Sequence, residues 1–372
     1  MSLAARLLDW YDHHGRSLPW RAPPGERPDP YRVWLSEVML QQTTVATVGR
    51  YFARFLERWP TVAALAAADR ETVLAEWAGL GYYARARNLH ACARRVAHDL
   101  AGQFPQTEAE LKTLPGIGDY TAAAIAAIAF DQPATILDGN VERVIARLHR
   151  ISDPLPGAKS RLRGLAAEVT PTARAGDYAQ AIMDLGATVC TPTQPKCLLC
   201  PWRPDCAAHS AGDPAAFPVK AAKRPKPVRR GVAFWIEGDG AVLLRRRPDR
   251  GLLGGMLEVP SSQWREQGPQ TLGKPDQGDA WRPDWPSALA EAPLAAAFDP
   301  LPHSVRHTFT HFHLELAVAR ASIAGQPPLP DAALWWPLET LDAAGLPTVM
   351  RKVARHALWA AGQHRHAVAN PR

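Results

Sequence analysis

Leu114-Pro115-Gly116-Ile117-Gly118 runs directly into Asp119-Tyr120-Thr121-Ala122-Ala123-Ala124-Ile125. The first five residues lie between two helical patterns. Their two glycines let the backbone turn tightly and come close to a partner. The helix that follows starts at Asp119 or Tyr120, so its first amide groups point out of the turn. Such a helix start is an anion site, and a DNA phosphate fits it without any basic side chain. The plainer reading is a corner between two helices, stopped by Pro-Gly. These five residues alone leave both readings open.

Helical patterning extends outward from this corner. Tyr31, Trp34, Leu35, Val38 and Met39 fall on one face at helical spacing, as do Val141, Val144, Ile145 and Leu148. Pro60-Thr61 opens a helix with Val62, Leu65 and Ala66 on one side. Residues 1–210 therefore read as an all-α domain. Residues 211–230 dissolve into Ala, Pro, Lys and Arg and read as a semi-stiff linker. From residue 231 the period changes to two. Val232, Phe234 and Ile236 alternate, Glu237-Gly238-Asp239-Gly240 turns, and Ala241 to Leu244 returns as a hairpin. Phe312, Leu314, Leu316 and Val318 alternate with His311, His313, Glu315 and Ala317, as in a half-buried strand. Residues 231–361 read as an α+β domain and 362–372 as a tail, and Gln263 to Pro302 shows no assignable element.

The composition agrees with two domains in 372 residues: 47% hydrophobic and 21% charged excludes a mostly disordered chain. The longest apolar run, Ala122 to Phe130, is too short for the roughly 18 residues of a membrane helix. Arg6, Asp9 and Asp12 interrupt the apolar residues of the N-terminus, against a signal peptide. The expectation is a cytoplasmic, nucleoid-associated protein with no membrane partner. Net charge is +7, and Val219 to Arg230 carries six positive charges, which leaves the rest at about +1. DNA contacts elsewhere must then come from local placement.

Five cysteines are present. Cys92 lies in a helical pattern and reads as a small core residue. Cys190, Cys197, Cys200 and Cys206 are spaced C-x6-C-x2-C-x5-C, a cluster that points to metal. Zinc takes four thiolates, often from paired C-x2-C knuckles, and only one pair here has that spacing. The pattern therefore favours an iron–sulfur cluster. Lys196 and Arg203 on the same loop suit phosphate contact or simple solvation.

These features, with residues 34–47 (WLSEVMLQQTTVAT), 79–89 (GLGYYARARNL), 114–125 (LPGIGDYTAAAI), 136–144 (ILDGNVERV) and 183–200 (MDLGATVCTPTQPKCLLC), resemble in order the MutY-type adenine DNA glycosylases. The resemblance covers nearly the whole chain. It implies a multidomain protein: an all-α helix-hairpin-helix glycosylase domain with a cluster loop at 190–206, then an α+β Nudix-like C-terminal domain. It further implies one 4Fe-4S cluster on Cys190, Cys197, Cys200 and Cys206, and a monomeric DNA repair hydrolase. Its substrate would be double-stranded DNA with adenine paired to 8-oxoguanine or guanine, and its product an abasic site.

Glu37 lies at the edge of an apolar stripe, where a carboxyl group prefers to be neutral and suits acid catalysis near neutral pH; the residues alone favour instead a Glu paired with an Arg across the fold. Asp138 follows Thr135-Ile136-Leu137 and precedes a helix, a favoured N-cap position that fixes the carboxylate and keeps it ionised. A neutral acid beside the leaving group and an anion beside the sugar carbon are what glycosidic cleavage needs. The resemblance gives these roles to Glu37 and Asp138, with Tyr120 and Asn140 supporting them by hydrogen bonds. Related glycosylase/lyases of the endonuclease III type carry a Lys where Tyr120 stands; without that amine no Schiff base forms and the enzyme is monofunctional. Gln42 and Tyr82 match positions that enter the duplex when the base flips out. Trp20, Arg21, Leu40 and Gln180 match adenine-pocket positions. Thr43, Gly116 and Gly118 complete the expected DNA contacts.

In the second domain Gly254-Gly255-Met256-Leu257-Glu258-Val259-Pro260 looks like the start of a Nudix box whose further glutamates are missing, against pyrophosphohydrolase activity. Phe309-Thr310-His311 matches the loop that meets 8-oxoguanine, with Thr at a position commonly Ser. His303, His307, His311 and His313 form a rival metal cluster, disfavoured because only Glu315 is near. Two rival functions are a lyase acting on oxidised pyrimidines and a non-catalytic cluster-bearing DNA sensor. Tyr120 and the C-terminal domain argue against the first. Glu37, Asp138, Tyr120 and Asn140 together argue against the second.

Overall fold

α8 (Asp119–Phe130) is buried almost all round, because Ala122, Ala123, Ala124, Ile125, Ala126 and Ala127 give it apolar atoms on every side. Their small size lets α2 (Pro30–Leu40) and α11 (Ala175–Asp184) pack directly onto it. A computed structural model describes residues 1–368 apart from Pro24, Lys223, Arg224, Arg250, 268–280 and Asp331. Part of the unassigned 263–302 segment and residues 369–372 of the expected tail lie outside the described residues. The chain divides into two units, Met1–Ala222 and Lys223–Arg372.

Besides these three helices, the first unit contains α1 (Leu3–His14), α3 (Val45–Arg58), α4 (Val62–Ala67), α5 (Arg70–Glu76), α6 (Ala84–Asp99), α7 (Glu108–Leu111), α9 (Gly139–Leu148), α10 (Lys159–Glu168) and α12 (Ala207–Ser210). Their starts are written in the sequence. Side chains of Ser2, Asp29, Thr44, Thr61, Asp69, Thr107 and Asp138 each accept an amide of the first turn. Trp34, Phe52, Phe55 and Trp77 are fully buried between the helices. Each such side chain contributes about 1.5–3 kcal/mol of burial.

The second unit is a seven-stranded sheet of order β3-β2-β1-β6-β5, with β4 added to β1 and β7 to β2. Its strands are β1 (Val228–Gly238), β2 (Ala241–Arg246), β3 (Leu257–Glu258), β4 (Arg265–Gln267), β5 (Asp299–Thr308), β6 (His313–Ile323) and β7 (Ala333–Pro337). β1 and β2 form the expected hairpin, and β1 also pairs in parallel with β6 from Val228↔His313 to Gly238↔Ile323. The sequence reads β6 as half-buried; the structure buries both faces. Leu314, Leu316 and Val318 pack toward Val349, Met350 and Val353 of a terminal helix, α14 (Thr348–Val368). Ala317, Ala319 and Ala321 pack on the opposite face with Phe234 and Ile236. That second layer includes α13 (Trp285–Leu289) and Phe298, within the segment that sequence patterning leaves unassigned.

The expected 211–230 linker is shorter than its composition suggests. Phe217 is buried in the helical core, Leu155 N donates to Val219 O at 2.9 Å, and Ala221 N donates to Leu155 O at 3.0 Å. At the other end Val228, Arg229 and Arg230 already belong to β1. Polar, Pro-rich composition conceals both backbone pairings.

Gly116 has φ +76, and a Cβ there would stand 2.6 Å from Asn88 Cβ on α6. Gly116→Ala should therefore destabilise the protein by more than about 1 kcal/mol and weaken duplex binding, read by thermal melting and by DNA titration.

Candidate active site

The C-terminal half of α2 turns Val38 and Met39 into the core and leaves Glu37 facing a cavity of about 660 Å³. Glu37 is only 5% exposed. Burial pushes its carboxyl up to about 7; hydrogen bonding with Tyr120 opposes this, Asp138 adds to it, and the Arg21 guanidinium pulls it back. Tyr120, in the first turn of α8, lines the same cavity, with its hydroxyl 3.2 Å from Met183 Sδ. Burial also raises the Tyr120 phenol, and Glu37 adds to that.

Asp138 caps α9. Its Oδ1 accepts from the amides of Asn140 at 2.9 Å and Val141 at 2.8 Å, and its Oδ2 from Asn140 Nδ2 at 2.9 Å. These bonds favour the ionised form, as the sequence suggests, yet burial outweighs them and the carboxyl lies above its ordinary value. Asn140 is itself held: its Oδ1 accepts from Arg143 Nη2 at 2.9 Å. Arg143 also donates to the carbonyls of Gly186 and Cys190, both at 2.7 Å. A Cβ on Gly186 would stand 2.7 Å from Asn140 Cβ, so the Leu185–Val189 turn approaches α9 only because this residue is glycine.

Trp20, Arg21, Leu40, Gln42, Thr43 and Gln180 all line this cavity with Glu37, Tyr120, Asp138 and Asn140. Tyr82 does not line it. It stands 51% exposed with φ 49, and Gln42 is likewise exposed with φ 56. Gly118 starts α8 without a side-chain cap, as the hairpin reading requires. Sequence reasoning missed Asp184. It is fully buried, accepting from Arg16 Nε at 2.6 Å and from both terminal nitrogens of Arg21 at 2.7 Å. The available signal was an aspartate inside the apolar stripe of α11, which demands a cation. That cation lies 163 residues earlier in the chain.

Cys190, Cys197, Cys200 and Cys206 line a second cavity beside Trp202 and Arg147. Arg147 is 1% exposed and donates to Cys190 Sγ at 3.3 Å and to the carbonyls of Thr191 and Pro192 at 2.7 Å. Among the described residues, no three His, Cys, Asp or Glu side chains are placed to hold a metal ion. Cys92 is buried in α6 and does not line this cavity.

In the second unit Thr310 and His311 form the exposed tip between β5 and β6. Phe309 anchors the tip, its amide donating to Phe312 O at 2.9 Å and its ring stacking on Phe312 at 4.8 Å. Glu258, in the partial Nudix box, is 1% exposed and held by Arg245 and Arg247.

Residues 35–166 match the HhH-GPD superfamily of base excision DNA repair proteins, and residues 231–356 match the NUDIX domain. A thermostable thymine-DNA glycosylase superposes with a TM-score of 0.51 at 28% identity, over 56% of this chain and 95% of that one. The protein is therefore a DNA-binding base-excision glycosylase that carries a Nudix unit. The adenine DNA glycosylase of Homo sapiens is 38% identical over 94% of this chain and 72% of its own length. That of Mycolicibacterium smegmatis is 41% identical over 59% of this chain and 73% of its own. The chain belongs to the adenine DNA glycosylase family.

A neutral Glu37 is available below pH 7 and is lost as pH rises through about 7, so activity should fall on that limb. Glu37→Gln should reduce single-turnover excision by at least about 100-fold. Its effect on stability has the opposite sign. Because the folded carboxyl is raised from 4.5 to about 7, the wild type loses stability between those values as pH rises. The amide has no charge to bury, so the variant should melt higher than the wild type at pH 8. Melting curves at pH 5 and pH 8, beside excision rates, check both signs.

Proposed function

We propose that this protein hydrolyses the N-glycosidic bond of adenine paired with 8-oxoguanine or guanine, leaving an abasic site. The supporting observation is the placement of Glu37, buried, and Asp138, half-buried, on one cavity, each with a raised carboxyl. An adenine swung out of the duplex enters between Trp20, Leu40 and Gln180. Glu37, neutral near pH 7, gives its proton to the leaving base. Positive charge then grows on the sugar, and the Asp138 carboxylate stabilises it or adds to it covalently before water arrives. Asn140 and the first amides of α9 hold Asp138 for that task, and Tyr120 holds Glu37. Tyr120 supplies no amine for a Schiff base, so the enzyme is monofunctional. It acts as a monomer in the cytoplasm.

Cys190, Cys197, Cys200 and Cys206 suit a 4Fe-4S cluster: four thiols face one cavity and a buried guanidinium offsets their negative charge. Held by these four thiolates, such a cluster would cross-link the 190–206 loop. Anaerobically purified protein should contain iron and acid-labile sulfide in equal amounts, about four of each per chain. Zinc without sulfide would overturn this.

Phe309, Thr310 and His311 read the base opposite adenine, with the lesion as the favoured partner. A base-edge hydrogen bond discriminates by about 1–3 kcal/mol. Thr310→Ala with His311→Ala should therefore reduce the preference for A:8-oxoguanine over A:G by about 5-fold or more, while A:G excision persists. Single-turnover rates on the two duplexes at one salt concentration test this. An equal loss on both would reject the lesion-reading role.

A further inference from the structure

The end of α2 and the turn before α6 converge on one buried side chain. Arg85, in the first turn of α6, is 9% exposed. Its Nη1 donates to the carbonyls of Val38 at 3.1 Å, Met39 at 2.9 Å and Gln41 at 2.6 Å. Its Nη2 donates to Leu80 O at 2.8 Å, Gly81 O at 3.1 Å and Thr43 Oγ1 at 3.1 Å. The rings of Trp77 and Tyr82 flank the guanidinium, with centroids 5.1 and 5.7 Å away. Among the described residues no carboxylate pairs with it. A buried cation without a counter-ion is costly unless dipoles surround it. Here the carbonyls at the negative end of α2 supply part of that field. A branched, planar donor is the side chain that can serve two separate groups of carbonyls at once.

The register of these bonds is informative. Gln41 O precedes Gln42, and Gly81 O precedes Tyr82. Arg85 thus holds the peptide in front of each of two exposed side chains, both in left-handed backbone, at φ 56 and φ 49. L residues seldom adopt that backbone, and something must hold it.

We propose that Arg85 is a positioning residue that locks Gln42 and Tyr82 into one rigid two-pronged wedge, so that both enter the duplex together as adenine leaves it. This rests on the reading that Gln42 and Tyr82 enter DNA beside the mispair. Arg85 itself acts only through the two loops.

The test uses the full chain with Arg85→Lys, Gln42→Ala with Tyr82→Ala, and all three together. Single-turnover excision is measured on adenine opposite guanine and on adenine opposite a tetrahydrofuran abasic analogue, where no opposing base has to be separated. Arg85→Lys keeps the charge but not the fork. It should slow excision about 10-fold or more on the first duplex and under about 3-fold on the second. Its effect should largely vanish in the Gln42→Ala, Tyr82→Ala background, because the three act as one unit. Equal slowing on both duplexes, or full additivity, overturns the role of Arg85 alone. No effect of Gln42→Ala with Tyr82→Ala overturns the wedge reading and this inference together. Thr43→Val, which removes one acceptor of the fork, serves if Arg85→Lys does not fold. It should show a smaller loss confined to the A:G duplex, and an equal loss on both duplexes or none on either counts against the proposal.

Discussion

Three hydrogen bonds to the carboxylate of Asp138 fix the start of α9, and the geometry of the helical unit's site follows from that helix. Two of the bonds are amide donations that any N-cap aspartate would accept. The third, from Asn140 Nδ2, leaves the second carboxylate oxygen held as well. Arg143 then ties Asn140 to the Gly186 and Cys190 carbonyls, and Arg147, one turn further on, reaches Cys190 Sγ. One helix therefore carries a line of polar contacts from the candidate catalytic aspartate to the cysteine loop. Residues 140, 143 and 147 share a face at helical spacing. A displacement of Cys190 would be felt at Asn140 through a single side chain.

Much of this was legible in the sequence, for a local reason. The N-cap at Asp138, the Thr61 helix start, the Gly116 turn and the β1–β2 hairpin are decided within four or five residues, where backbone preferences suffice. The apolar stripes of α2 and α9 also appear in the structure as buried faces. What the sequence did not disclose depends on partners far along the chain. The Asp184 pairs with Arg16 and Arg21 join α11 to the segment before α2. The two-sided burial of β6 depends on its parallel neighbour β1 and on a layer that includes Phe298. Strict alternation with polar residues suggested one wet face, but Glu315 lies inside that face, paired with Arg230 and Arg306. A buried ion pair looks like a solvent-facing position when only one strand is read.

Arginine is used in two ways here. In the second unit, Arg245 and Arg247 close on Glu258, and Arg230 and Arg306 on Glu315. These pairs neutralise buried carboxylates and fix the sheet, and they leave Glu258 engaged instead of open to a divalent cation. In the first unit, Arg85, Arg143 and Arg147 address backbone carbonyls instead, at helix ends and in the loops beside them. A carbonyl attracts a guanidinium less than a carboxylate does, but a guanidinium offers five donors and can organise several strands of loop at once. Irregular backbone around a reacting centre needs such organisers because no helix or sheet ladder satisfies it.

The two carboxyls of the cavity impose opposing requirements. Each lies above its ordinary value because burial penalises its charged form, and Asp138 further raises the cost of ionising Glu37. The proposed function needs one proton between them, on Glu37. The protein breaks the symmetry through hydrogen bonding. Asp138 accepts two amides and one carboxamide N–H, a donor set that favours its anion. Among the described residues Glu37 has only Tyr120 and the more distant Arg21 to favour its charge, and Arg21 is already engaged by Asp184. Arg21 therefore points both terminal nitrogens at Asp184 and acts on Glu37 only through space, as the smallest influence on its carboxyl. The result is a site less stable than an apolar packing of the same volume, in which the acid and the anion are distinguished by their donors rather than by their depth.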